Sequence, residues 1–314
     1  MVNDAGLKLE SVAVVPVGDL KSVLPGGDRP PAPALAALYK ATRAAFPGVN
    51  LGGGMFSFFT ELNRKRPPID ALDFIMNTTC PIVHASDDRS VMETLEALPF
   101  QIATARATIG KIEHRVGPSA IGCRDNPHGE TFTPNPGNER VCLAKMDPRM
   151  RGLFGAAWIT GYVATLCRAD VGAITLGAPT GPLGVIYRRT DYAQPGLDDA
   201  GAVVYPAYHA VSSLMRMSGS KLVSVESSDR SAVECHAVKV PGATLLWLAN
   251  LTSSRQSIDL TGTEGRQAFC SVLDEGSFDT AVTQPAKFQG RYRALAHGRV
   301  TLGSYGVAWI CLND

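Results

Sequence analysis

Strand-like and helix-like patterns alternate through the larger part of this chain, and this alternation limits its possible folds more than any other feature. Up to about residue 218, each short apolar run is followed by a helical or loop pattern, which predicts a parallel α/β assembly. After that point, runs of alternating polarity follow one another with turn residues between them, as in an antiparallel sandwich. We therefore predict two domains, residues 1–218 and residues 219–314.

The first domain is expected to contain five buried strands and several helices. The strands are predicted at residues 9–17, 49–54, 72–77, 119–123 and 171–176. The helices are predicted at residues 34–46, 90–110, 149–168 and 206–217. Ser90 is the expected N-cap of the second helix, and Pro99 is expected to kink or break that helix.

The number of strands bears on the fold class. A closed (β/α)8 barrel has eight strands and typically about 250 residues. We favour a (β/α)8 TIM-barrel-type domain that is incomplete and holds the later strands only, followed by an antiparallel β-sandwich. The outer strands would then need missing N-terminal barrel strands or a homo-oligomer to cover their edges. A complete open sheet of five strands is the alternative, and both remain open at this point.

Composition excludes several classes of partner. The chain of 314 residues is 45% hydrophobic and 19% charged, with a net charge of +1 and no basic run, so we expect no nucleic acid and no membrane as a partner. Its seven cysteines are scattered without a CxxC motif, which favours reduced thiols in a cytoplasmic protein. The first residues lack a signal-peptide pattern. The glycine-rich segment at residues 177–184 lacks the lysine of a phosphate loop, so it does not predict a phosphate-binding site.

The segment at residues 49–64 has the pattern of a barrel strand that leads into an active-site loop. Three consecutive glycines at residues 52–54 allow close approach of the backbone, and Phe58 and Phe59 offer an apolar wall. A carboxylate, an amide and a guanidinium follow within four residues, at Glu61, Asn63 and Arg64. Polar groups at the carboxyl end of a barrel strand are typical of catalytic sites.

Two further clusters follow predicted strands. The third strand ends at Asn77, and the loop after it contains His84 and Asp87. The long polar loop after the fourth strand contains Arg124, Asn126 and His128. Loops of this length inside a domain are usually functional or disordered, so we include these residues in the candidate site. His209, His236 and His297 lie later in the chain and are expected to be structural.

Four segments give the chain a recognisable family likeness: GGGMFSFFTELNR, CRDNPHGE, ITLGAPTGPLGVIY and SYGVAWI. Together they resemble the D-apionate lactonase family, and the likeness covers the C-terminal half to two thirds of such a protein. It implies a clan-A glycoside-hydrolase-like barrel with a C-terminal sandwich. The implied activity is hydrolysis of a branched-sugar lactone, D-apionolactone, in carbohydrate catabolism, with this small molecule as the partner.

Lactone hydrolysis needs a base that activates water, a proton donor and an oxyanion stabiliser. Glu61 is our first candidate for the general base or acid, and His84 with Asp87 is a candidate base with its orienting carboxylate. We expect Asn63, Arg64, Asn77, Arg124, Asn126 and His128 to bind substrate. Cys80 and Cys123 rank lower as nucleophiles with His84 as base. A metal held by His84, Asp87 and His128 lacks a supporting motif, so we expect no metal and no cofactor.

Two other functions compete with a lactonase. If the five predicted strands are the last five of an eight-stranded barrel, the first of them is the fourth strand of the barrel and the fourth of them is the seventh. A clan-A glycosidase carries a glutamate after each of these two strands. Residues 17–19 and 123–125, which occupy these positions here, contain no glutamate. A glycosidase would therefore need displaced carboxylates, such as Glu61 with Asp19 or Asp125. The third function is a non-catalytic, carbohydrate-binding barrel remnant.

Overall fold

The computed structural model describes residue 6, residues 8–295 and residues 298–314, so His297 lies outside the described residues. Its first part is a five-stranded sheet in the order β1-β2-β3-β4-β5, in which each strand pairs with the next in parallel. The strands are β1 Ser11–Ala13, β2 Asn50–Met55, β3 Phe74–Asn77, β4 Glu113–Ser119 and β5 Ala173–Leu176. Among the described residues β1 and β5 pair on one side only, as in part of a barrel.

Five helices lie between or after these strands. They are α1 Leu35–Ala45, α2 Phe59–Arg64, α3 Asp88–Ile109, α4 Leu153–Arg168 and α5 Pro206–Arg216. Short 3-10 helices occupy Val17–Leu20, Ile69–Ala71 and Pro148–Arg151. No helix in the described part of the chain is long and apolar enough to cross a membrane.

The fourth strand was predicted in the wrong place. It runs over Glu113–Ser119 and so begins six residues before the apolar segment predicted at residues 119–123. The strand contains Glu113 and Arg115, which pair with each other at 2.9 Å and so satisfy their charges within the sheet. Since apolar runs were the criterion for buried strands, this charged strand was missed.

The details of α3 also differ from the prediction. Asp87, not Ser90, is the N-cap, because the Asp87 carboxylate accepts a hydrogen bond of 2.9 Å from the Ser90 amide. Pro99 does not break the helix, which continues to Ile109. Leu95, Leu98 and Ile102 are buried on both sides of the proline, so packing against the core maintains the helix through this position.

The glycines of β2 are required by its close packing against β3. A Cβ atom on Gly52 would lie 2.1 Å from the Phe74 ring, and one on Gly54 would lie 1.9 Å from the Met76 carbonyl oxygen. Gly54 also has a φ of +136°, which residues with a side chain rarely adopt. The glycine run therefore fixes how closely the two strands approach.

The C-terminal part forms an antiparallel sheet in the order β11-β10-β13-β8-β7-β6, with β12 and β9 as a separate pair. Its strands are β6 Lys221–Val223, β7 Val233–Val240, β8 Ala243–Asn250, β9 Gln256–Asp259, β10 Ala268–Leu273, β11 Arg293–Ala294, β12 Arg299–Leu302 and β13 Val307–Asn313. Two short helices, α6 Phe278–Thr283 and α7 Pro285–Gln289, follow β10.

The helix α4 joins the two parts. Every residue from Phe154 to Leu166 is buried. One apolar core contains Trp158 and Tyr162 of this helix together with Trp247 and Trp309 of the C-terminal sheet. The Arg168 guanidinium at the helix end also bonds the Glu234 carboxylate on β7 at 2.5 Å. The helix is therefore sandwiched between the parallel sheet and the antiparallel sheet.

We expect Gly54→Ala to destabilise the chain by about 3 kcal/mol or more, because the substitution combines overpacking with an unfavourable φ. Urea unfolding followed by circular dichroism measures this change. Gly276→Ala is the matched control, since a Cβ there makes only an ordinary contact of 3.5 Å with the Asp274 carboxylate. Equal stabilities of the two variants would contradict the role assigned to β2.

Candidate active site

The loops that follow β1, β2, β3 and β4 meet around one cleft of about 400 Å³ at the carboxyl edge of the parallel sheet. Ser22 comes from the first loop, and Phe58, Phe59 and Arg64 come from the second. Parallel strands direct their carboxyl ends to the same edge, so residues distant in sequence become neighbours here. The remaining lining residues come from the loops after β3 and β4 and from α3 and α4.

Three of the predicted site residues line this cleft: Arg64, His84 and His128. The two histidines are exposed, and their ring centroids are 6.3 Å apart with the ring planes tilted by 38°. Two imidazoles at this separation can both contact the same small molecule in the cleft, where one can accept a proton and the other can donate one. The cleft thus has two groups suited to proton transfer at its rim.

Glu61 lies behind Arg64 and is fully buried. Its Oε1 atom accepts hydrogen bonds from the Arg64 guanidinium at 2.6 Å, the Ser22 hydroxyl at 2.9 Å and the Val23 amide at 3.2 Å. Its Oε2 atom accepts one from the Arg29 guanidinium at 2.9 Å. This arrangement holds Arg64 against the wall of the cleft.

The electrostatics of Glu61 follow from the same contacts. Burial raises the pKa of its carboxyl group, but the hydrogen bonds from Ser22, Arg64, Arg29 and Val23 together bring the pKa below the usual glutamate value. Glu61 is therefore ionised at neutral pH, with both oxygens engaged. Its direct part in proton transfer stays a prediction, and the contacts favour a role in positioning Arg64.

Asp87, Asn63 and Asn77 lie away from the cleft. Asp87 caps α3, and no hydrogen bond joins it to His84 in the described structure. Asn63 is exposed, and its side-chain oxygen lies 3.5 Å from the Arg66 guanidinium. Asn77 is buried and bonds His114 at 2.8 Å between Oδ1 and Nε2. Burial lowers the pKa of His114 to about 4, so this pair is neutral at physiological pH.

The loop after β4 separates its three predicted residues. Arg124 donates a hydrogen bond to the Gly177 carbonyl after β5, outside the cleft. Asn126 is buried, its amide donates to the Thr131 carbonyl at 2.7 Å, and its Oδ1 atom accepts from the His128 backbone amide at 2.9 Å. Asn126 therefore shapes the turn that presents His128 to the cleft.

A group of hydroxyls at the inner end of the cleft was not predicted from the sequence. The Tyr162 hydroxyl lies 2.6 Å from the Thr79 hydroxyl and 2.8 Å from that of Ser119. Burial raises the pKa of Tyr162 to about 12, so this phenol keeps its proton. The indole of Trp158 also lines the cleft, and its buried N–H has no partner among the described residues.

The sequence does not mark these residues as functional, for two reasons. Trp158 and Tyr162 belong to an apolar helix whose pattern indicates packing, and nothing in that pattern marks a face toward a cleft. Thr79 lies two residues after the end of the third predicted strand, and this position alone indicates that it could belong to a site.

In the described part of the chain, no three histidine, cysteine, aspartate or glutamate side chains cluster closely enough to hold a metal ion.

This fold defines a class: a TIM-type β/α barrel, present in part, followed by an antiparallel domain. Solved structures with this fold include a GH30 endoxylanase from Clostridium papyrosolvens C71, with a TM-score of 0.54 and 12% identity over 99% of this chain and 67% of that chain. A conserved exported protein from Bacteroides fragilis gives a TM-score of 0.57 and 12% identity over 98% of this chain and 66% of that chain. The predicted fold class is thereby confirmed.

The chain belongs to the D-apionate lactonase family. The family's TIM barrel domain matches residues 1–219, and its C-terminal immunoglobulin-like domain matches residues 230–310. The D-apionate lactonase of Brucella anthropi is 38% identical over 256 residues, which are 82% of this chain and 40% of that protein. The chain thus spans less than half the length of this relative, and the family likeness seen in the sequence is confirmed.

We expect Glu61→Gln to destabilise the chain by about 3 kcal/mol, because the change leaves the Arg29 and Arg64 guanidinium groups without their buried carboxylate. The control is Glu93→Gln, which removes an exposed pair with Arg89 and should change stability by at most about 0.5 kcal/mol. Chemical denaturation at pH 7 compares the two variants. A cost for Glu61→Gln no larger than the control would contradict the arrangement.

The same comparison should depend on pH. Because the pKa of Glu61 is lowered in the folded chain, the stabilisation is complete above the ordinary glutamate pKa of about 4.3. It is lost as the pH falls through the lowered value. The stability difference between the wild type and Glu61→Gln should therefore shrink in acid, and a difference that stays constant down to the acid transition would contradict this.

Proposed function

We propose that this chain contributes the hydrolytic site of a lactonase that opens a sugar lactone to the sugar acid. The observation that carries the proposal is the grouping of Arg64, His84 and His128 around one cleft, in a chain that belongs to the D-apionate lactonase family. The name of the Brucella anthropi relative suggests D-apionolactone, a branched-sugar lactone, as the substrate.

The cleft provides the groups that lactone hydrolysis requires. A histidine at the rim accepts a proton from water as the oxygen attacks the lactone carbonyl, and the second histidine donates a proton to the departing ring oxygen. We assign these roles to His84 and His128, whose ring centroids are 6.3 Å apart at the cleft. No ion pair engages either histidine among the described residues, so both rings are available to substrate.

Arg64 is the proposed stabiliser of the oxyanion. Its Nη1 atom bonds the Glu61 carboxylate and the Val23 carbonyl, whereas its Nη2 atom has no hydrogen bond among the described residues. A guanidinium that stays charged and is held on one side can present its free N–H groups to the developing negative charge. Phe58 and Phe59 supply the apolar wall against which the carbon skeleton of the sugar can pack.

The chemistry of the cleft favours a lactonase over a glycosidase. A retaining glycosidase uses two carboxyl groups about 5 Å apart on either side of the scissile bond. No aspartate or glutamate side chain is among the described residues that line this cleft. A carbohydrate-binding protein without activity would need the cleft but not the histidines, and turnover distinguishes it from the enzyme.

We expect His84→Asn and Arg64→Lys each to lower kcat for a five-membered aldonolactone by roughly 100-fold, the usual effect of losing a general base or an oxyanion donor. The release of acid during steady-state hydrolysis measures kcat. Arg66→Lys is the matched control, because Arg66 is exposed and lies outside the cleft. Wild-type kcat in both cleft variants would rule out this site, and turnover of aryl glycosides instead would support a glycosidase.

The role of Glu61 is tested by a double-mutant cycle. If Glu61 acts by positioning Arg64, the double variant Glu61→Gln with Arg64→Lys should lose little more activity than Arg64→Lys alone. If Glu61 itself transfers a proton, the two losses should multiply. Folded fractions measured by circular dichroism normalise each rate, since Glu61→Gln is expected to be less stable.

A further inference from the structure

Three hydroxyl groups bond one another at the inner end of the cleft. The Thr79 oxygen lies 2.6 Å from the Tyr162 oxygen and 3.1 Å from the Ser119 oxygen, and the Tyr162 hydroxyl donates to Ser119 at 2.8 Å. Since the Tyr162 proton goes to Ser119, the Thr79 hydroxyl donates to one of these two neighbours. A hydroxyl oxygen has two lone pairs, so the Thr79 oxygen keeps at least one for a donor from outside the group.

Thr79 is the member of this group that a ligand can reach. It is half-buried and lines the cleft, whereas Ser119 and Tyr162 are buried. Burial raises the pKa of Tyr162 to about 12, so the group carries no charge at neutral pH. The inner end of the cleft therefore offers a neutral hydrogen-bond acceptor.

The Trp158 indole supplies the complementary donor. Trp158 lines the cleft with only 1% of its surface exposed, and its N–H has no acceptor among the described residues. The other two tryptophans differ, because Trp247 and Trp309 donate to the Ser213 hydroxyl at 3.0 and 2.6 Å. A buried donor without a partner is unfavourable, so the Trp158 N–H favours a ligand that brings an acceptor.

The donor and the acceptor together select the chemistry of the ligand. Tyr162 connects them, because its ring stacks on Trp158 with the centroids 4.7 Å apart and its hydroxyl bonds Thr79. A ligand hydroxyl can accept from the indole N–H and donate to the Thr79 oxygen at the same time. An ammonium group has no lone pair with which to accept, and a carboxylate has no proton to donate.

We propose that the inner end of the cleft is a subsite for one hydroxyl group of a five-membered sugar ring, which accepts a hydrogen bond from the Trp158 N–H and donates one to the Thr79 oxygen. This inference rests on the lactonase function proposed above for the ring that carries the hydroxyl. It assigns substrate selection to residues that take no part in proton transfer. A ring without this hydroxyl leaves the N–H unpaired and is therefore bound less tightly.

The indole N–H signals of the full chain test the subsite without any turnover. The three tryptophans give three signals in a proton–nitrogen correlation spectrum, and Trp158→Phe identifies the signal of Trp158. The probe is anhydroerythritol, a dihydroxylated five-membered ring ether with no lactone bond to hydrolyse. We expect a saturable downfield shift of the Trp158 signal, whereas the signals of Trp247 and Trp309 should stay in place because Ser213 already engages them.

A second ring and two variants serve as controls. Tetrahydrofuran, the same ring without hydroxyl groups, should not shift the Trp158 signal. Thr79→Val keeps the shape of the side chain and removes the acceptor, so anhydroerythritol should bind roughly five- to tenfold more weakly in the same titration. Thr104→Val is the matched control and should bind as the wild type does, because Thr104 is exposed on α3 and its hydroxyl bonds the Phe100 carbonyl.

Three results would overturn the subsite: an unmoved Trp158 signal, an equal shift with tetrahydrofuran, or wild-type affinity in Thr79→Val. These results are separate from the lactonase proposal, which fails if the wild type opens no lactone, whatever the Trp158 signal does. If Trp158→Phe does not fold, Trp247→Phe and Trp309→Phe identify the signals by elimination. The wild-type titrations with the two rings then decide the matter.

Discussion

The burial of α4 on all sides is the constraint on which the rest of the structure depends. From Phe154 to Leu166 this helix has no polar face toward solvent, so it needs one sheet on each side to cover it. The parallel sheet with α3 supplies one cover, and the C-terminal antiparallel sheet supplies the other. The same helix places Trp158 and Tyr162 at the inner end of the cleft. The packing of α4 between the two sheets therefore also fixes the position of the inner wall of the cleft.

Much of the fold could be predicted because its main elements have strong periodic patterns. The helices α1, α4 and α5 and the strands β2, β3 and β5 lie close to their predicted positions. The failures have local causes. The strand β4 was misplaced because Glu113 and Arg115 neutralise each other inside a strand, and apolar runs do not reveal such a pair. Pro99 was expected to break α3, but the packing of its neighbours outweighs the local cost.

The sequence indicates which loops line the cleft better than it indicates which side chains face it. Arg64, His84 and His128 follow predicted strand ends, and they line one cleft because parallel strands bring their carboxyl ends together. Their roles in catalysis and binding stay predictions. The sequence does not show which way a side chain turns within its loop. Glu61 turns inward to Arg29 and Arg64, and Asp87 turns to the start of α3, so two carboxylates predicted as catalytic engage protein partners instead. Their catalytic roles remain predictions.

The shared core around α4 has a consequence for the evolution of this family. Two family models divide the sequence near residue 220, yet Trp158 and Tyr162 pack in the same apolar core as Trp247 and Trp309. A recombination event at the sequence boundary would join an α4 surface to a sheet that had not coevolved with it, and the mismatch would fall within the core. A recombinant of two relatives would therefore keep its core intact only if α4, α5 and the strands that face them came from the same parent. This segment extends across the boundary between the two sequence domains.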